Sequence, residues 1–148
     1  MISKVLGIFI ACAGYSFIFN VKMEKILYAS LNCAFGYAVY LLLKPDGNYM
    51  ALIIASFITT IISEILSRKT RTPATVFILC ALLPLVPGVG AYTTVLFLMN
   101  SQQDLAMTYG FDTLVQAGSI VVGVSLASNL FRVYTQYKNR NSHKNTSA

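Results

Sequence analysis

The stretch Pro84-Leu85-Val86-Pro87-Gly88-Val89-Gly90 is where the residue types of this chain imply chemistry most directly. A proline inside a helix removes one N–H donor and clashes with the carbonyl four residues before it, so Pro84 and Pro87 free the carbonyls of Cys80 and Leu83. Gly88 and Gly90 then permit backbone conformations closed to other residues. The N–H groups opening a helix after such a break, from Gly88 through Gly90 and Tyr92 to Thr93, carry the positive end of a helix dipole and suit a carboxylate. Freed carbonyls on the other side suit an ammonium group or a cation.

A second set of polar groups lies in other apolar stretches. Ser56, Thr60 and Glu64 follow at i, i+4 and i+8, which puts two hydroxyls and a carboxylate on one helical face. Glu64 suits a proton or substrate ammonium on a transport pathway, although the plainer reading is a surface pair with Arg68 one turn on. Asn32, Gln116, Ser125 and Asn129 are candidates for the same pathway or for interhelical hydrogen bonds of roughly 0.6 kcal/mol each. No nucleophile–base pair can be drawn, and the single histidine, His143, lies in a polar C-terminal segment. There is no Gly-rich phosphate loop and no Cys/His cluster, so no enzyme, metal site or cofactor is expected. Cys12, Cys33 and Cys80 fall in three different apolar runs and read as small buried residues.

The elements that must position these groups follow from how charge is spread. The 148 residues are 56% hydrophobic and only 11% charged, with a mean hydropathy of +0.66, which excludes disorder and an ordinary soluble domain. Five runs contain no Asp, Glu, Lys or Arg: Val5 to Val21, Ile26 to Leu43, Gly47 to Ser63, Ala74 to Met99 and Thr113 to Phe131. Each reaches the ~17–25 residues that a helix needs to cross a bilayer. The expected fold is all-α, a polytopic integral membrane protein of about five transmembrane helices, the fourth broken at Pro84 to Gly90. Residues 1–134 form the transmembrane domain and residues 135–148 a polar, disordered cytoplasmic tail.

A net charge of +6 would suggest nucleic acid in a soluble protein, but here its placement encodes orientation. Alternating the connections between two faces gives Lys4 and Lys44 to one side. The other side takes Lys22, Lys25, Arg68, Lys69, Arg71, Arg132, Lys138, Arg140 and Lys144, a split of two against nine. That predicts an outside N-terminus and a cytoplasmic C-terminus. If the fourth run re-entered instead of crossing, the split would fall to six against five, which favours five crossings. Lys4 and Ala11-Cys12-Ala13 look superficially like a cleavable signal, but the apolar run continues through Phe19 and is read as a retained span.

Within the fourth run the break leaves half-helices of ten and nine residues, Ala74 to Leu83 and Ala91 to Met99, and so is expected near the bilayer midplane. Unwound backbone at that depth needs protein or a polar cavity around it. Gly7, Ala11 and Gly14 in the first span, and Ser119 with Gly123 in the fifth, make small-residue faces for helix association, within the chain, with a partner or in a homo-oligomer.

The segment Arg71-Thr72-Pro73-Ala74 through Pro84-Leu85-Val86-Pro87-Gly88 to Tyr92, in a basic five-span chain, resembles the small membrane subunit of the threonine/serine exporter family. That subunit is similar to the C-terminal half of the single-chain exporters. The resemblance implies a multi-pass protein of the bacterial inner membrane that exports small carboxylates, either threonine and serine or a dicarboxylate such as succinate. It also implies a larger membrane partner resembling the N-terminal half of the family. Pro84, Pro87 and Gly88 carry the family pattern. The competing expectation is a non-transporting assembly or scaffold subunit whose proline break is a packing kink.

Overall fold

The computed structural model describes residues 2–19, 21–44 and 48–146, with side chains as far as Tyr137. His143 and the basic residues from Lys138 onward lie outside the described side chains, and Gly47 lies outside the described backbone. Mostly apolar stretches without proline form α1 (Ile2–Ile18), α2 (Met23–Leu43) and α3 (Asn48–Thr70). The fourth run divides into α4 (Ala74–Leu82), a 3-10 turn (Leu83–Leu85) and α5 (Gly88–Met99). The last helix, α6 (Gln103–Thr146), extends beyond the fifth apolar run at both ends. Its helical backbone reaches Thr146, into the segment expected to be a disordered tail. No proline or glycine follows Gly123 to stop it. Among the described residues there is no strand.

Among the described residues, three helices are long and apolar enough to cross a membrane: Met23–Leu43, Tyr49–Thr70 and Gln103–Tyr137. The pair α4–α5, bent by 53°, makes a fourth, broken span. α1, with 17 residues, stands at the lower limit of a crossing helix, so it is the weakest of the five expected spans.

α3 is the central helix, flanked by α2, α4 and α6, while α1 packs on α2 and α5 packs on α6. In lipid, helices gain little from burying apolar surface against each other, so close approach through small residues matters more. The buried set fits this: Ala29, Cys33, Ala34, Ala51, Ala55, Cys80, Ala81 and Ala127, with Phe77 the largest side chain fully enclosed. Gly36 of α2 is covered by Thr59. Gly123 of α6 lies against Ser56, where a Cβ would stand 2.5 Å from the Ile53 carbonyl oxygen. By contrast, a Cβ on Gly7 or Gly14 would meet nothing within 4 Å. The small face of α1 therefore points away from the chain, and that of α6 points into it.

Two turns close with a residue in the left-handed region: Arg71 (φ 51°) after α3 and Ser101 (φ 58°) after α5. In each, the next amide reaches back into the helix, Thr72 N to Ser67 O at 3.2 Å and Gln102 N to Phe97 O at 2.9 Å. This is the Schellman arrangement, which satisfies carbonyls left open at a helix end.

Cys12 and Cys33 are joined as a disulfide between α1 and α2, with Cα atoms 6.6 Å apart, and Cys80 is the free thiol among the described residues. This corrects the expectation of three separate buried thiols. The antiparallel α1–α2 pair brings together two positions that 21 residues of chain separate.

Candidate functional site

The two halves of the fourth span sit in different surroundings. On α4, Phe77 and Cys80 pack with Ala29 and Leu66, and Ser16 Oγ donates to Cys80 Sγ at 3.6 Å. The carbonyl of Cys80, freed by Pro84, has Cys12 Sγ at 3.7 Å. Leu85, in the 3-10 turn, belongs to a core with Leu52, Ala55 and Ile120. Val86 is extended, Pro87 precedes the first turn of α5, and Gly88 begins it. Most backbone groups at the break find partners: Val86 N donates to Leu82 O at 3.2 Å, Gly88 N to Val86 O at 2.8 Å and Ala91 N to Pro87 O at 3.2 Å. The amides of Val89 and Gly90 lie between these and open the helix.

Contacts fix the level of the break. Tyr49, in the first turn of α3, donates its hydroxyl to Asp112 of α6, and Arg68, near the other end of α3, donates to Thr135 Oγ1. α6 therefore runs parallel to α3. Since α5 leads into α6 by a tight turn, α4 and α5 together carry the chain from the Arg68 end to the Tyr49 end. The fourth run thus carries the chain from one end of α3 to the other. Gly90 abuts Thr113, next to Asp112, and Leu85 packs on Leu52. The break is thus level with the first turns of α3 and not with that helix's middle. Counting residues from both ends of the apolar run gave a central break. In fact α5 pairs with the part of α6 that precedes Asp112, with Phe97 stacked on Tyr109 at 5.2 Å, and the hairpin extends beyond the first turn of α3.

No residue of α5 is buried. Val89 is 81% and Tyr92 68% exposed, and a Cβ on Gly88 would meet nothing within 4 Å. Thr93 returns its hydroxyl to Val89 O at 2.8 Å. The residues expected to bind substrate, Pro84, Pro87, Gly88, Gly90, Tyr92 and Thr93, lie together along the break and the first turns of α5, where α6 is the main wall among the described residues.

The expected pathway residues separate into three groups. Ser56 and Thr60 are fully enclosed and return their hydroxyls to backbone carbonyls of α3, at 3.0 Å to Ile53 O and 2.7 Å to Ser56 O. Asn32 joins this buried polar stripe, donating to Ser63 Oγ at 2.8 Å and Thr59 O at 3.3 Å. Its Oδ1 is buried without a partner. Gln116 donates to Asp112 Oδ2 at 2.7 Å and so belongs to the Tyr49 end. Glu64 belongs to the opposite end, where it lines a cavity of about 410 Å³ between α3 and α6 with Arg68, Asn129, Arg132 and Thr135. The expected Glu64–Arg68 surface pair does not form, because the Arg68 guanidinium lies 4.5 Å above the Phe131 ring and bonds to Thr135.

Sequence reading missed this cavity as a unit. The signal was present as Glu64/Arg68 on one helix and Asn129/Arg132 on another, and only the parallel pairing of α3 with α6 joins them. The same end gathers other bases: Lys25 Nζ donates to Thr70 O and Thr72 Oγ1, each at 2.6 Å.

An all-helical bundle of this hydropathy, with long apolar helices and one interrupted crossing, defines a polytopic integral membrane protein. A family model described as threonine/serine exporter, ThrE, matches residues 4–130. The chain belongs to that family and has the transporter role of an exporter. No solved structure matches it.

Proposed function

We propose that this chain is the small subunit of a bacterial inner-membrane secondary exporter of threonine, serine or a related small carboxylate such as succinate, completed by a larger membrane partner. The observation that carries this reading is the uncovered α5: a helix with no buried residue opens with free amide donors beside a proline–glycine break. Such a site lacks a wall, and a second membrane protein would supply it. Discontinuous helices of this kind recur at the substrate sites of secondary transporters.

In this mechanism the backbone from residues 84 to 92 holds the substrate carboxylate, and the α4–α5 break is the joint about which access alternates. The N-terminus lies outside and the basic end, with Lys25, Arg68, Arg71 and Arg132, faces the cytoplasm, as the excess of bases there supports. The test is reconstitution of this chain with and without a larger membrane protein resembling the N-terminal half of the family, followed by efflux of labelled threonine, serine and succinate. Efflux is expected only with both chains. Gly88→Leu and Pro87→Ala are expected to lower it while membrane insertion is retained. Normal export by both variants would remove the break from the mechanism.

A further inference from the structure

The cavity between α3 and α6 at the basic end has a charge pattern that neither the broken helix nor the family assignment explains. Arg68 is held by the Thr135 hydroxyl and by the face of Phe131, so its guanidinium is oriented before any ligand arrives. It has five N–H donors, of which one is used by Thr135. Arg132 adds a second cation and Asn129 an amide from α6, while Glu64, half-buried one turn before Arg68 on α3, makes no ion pair among the described residues. About 410 Å³ is in the range of small-molecule sites, ~300–1,000 Å³.

We infer that this cavity binds a small zwitterion, its anionic group held by Arg68 and Arg132 and its ammonium by Glu64. Two cations facing one carboxylate match an α-amino acid better than a dicarboxylate, because the second carboxylate of succinate would be brought against Glu64. The inference deepens the exporter reading and rests on it for its purpose, since a site at the basic end would collect substrate on the cytoplasmic side before it reaches the break. The same chemistry occurs in the phosphate and ammonium of a phosphatidylethanolamine headgroup, so the experiment has an arm for each source.

The full chain is placed in phosphatidylglycerol nanodiscs and titrated with labelled L-threonine and succinate, as wild type, Glu64→Gln and Arg132→Gln. Threonine is expected to bind, with affinity falling at least about tenfold in either variant. Succinate is expected to gain in Glu64→Gln, a reversal of preference that misfolding would not produce. In discs containing phosphatidylethanolamine, native mass spectrometry reads the co-retained lipid. Lipid lost in Glu64→Gln, with no threonine binding, would support the zwitterion site and assign it to the headgroup. Threonine affinity and lipid retention both unchanged in the two variants would overturn the inference. Binding is read without partner or transport, so variants that bind normally in an exporting chain would defeat the cavity alone, and a chain that exports nothing would still test it.

Discussion

α4 and α5 come from one uncharged run and are separated by five residues, yet they occupy opposite environments. α4 has Phe77, Cys80 and Ala81 fully enclosed among α1, α2 and α3, whereas α5 rests on α6 alone and encloses nothing. Hydropathy scores the two alike because lipid and a protein wall are equally apolar surroundings. What distinguishes them is covering, which depends on which helices are neighbours. The lesson is that half of this broken span is enclosed inside the chain and the other half is left uncovered by it.

The contrast can be broken most forcefully at Phe77. Phe77→Ala should destabilise the chain by about 3–5 kcal/mol, measured by thermal unfolding in detergent, while Tyr92→Ala in α5 should stay within about 0.5 kcal/mol. Equal losses would mean that α5 is packed after all. Next in size are the glycines. Gly123→Ala forces a Cβ to within 2.5 Å of the Ile53 carbonyl oxygen and should cost about 1–3 kcal/mol in the same assay, while Gly88→Ala, which meets nothing, should be near neutral. A third measurement sharpens the comparison from outside. A cysteine at Val89 should react readily with a membrane-permeant maleimide in the isolated chain and become protected by co-expression of the larger partner. Labelling unchanged by the partner would place the missing wall elsewhere. The smallest effect is expected at the turn that delivers α5 to α6: Ser101→Gly relieves a left-handed backbone and should stabilise by about 1 kcal/mol.

Much of this architecture could be read from residue types. The charge-free runs became helices, because an uninterrupted apolar run of this length satisfies its backbone polar groups within itself only as a helix. The break came where Pro84, Pro87 and Gly88 required it. Depth was less legible, since apolarity alone carries no register. Leu85 on Leu52, and Gly90 on Thr113, moved the break toward the Tyr49 end. The Cys12–Cys33 pairing and the α3–α6 cavity were hidden for a related reason: each joins residues on different helices, and a linear pattern does not say which faces meet. Glu64 was legible as an ionisable group at a span end, but its company, Arg132 and Asn129, lay more than sixty positions away.

Where α6 crosses α3, Gly123 lets backbone meet backbone with no side chain between them. From that crossing to Arg132 is about 14 Å along the helix and to Thr113 about 15 Å, by helical rise. That closest approach is the natural fulcrum of the pair, and the Tyr49–Asp112 and Arg68–Thr135 contacts on either side are what a tilt would have to loosen. Tilting α6 about Gly123 would swing the charged cavity and the α5 hairpin in opposite directions, so that one mouth widens as the other narrows.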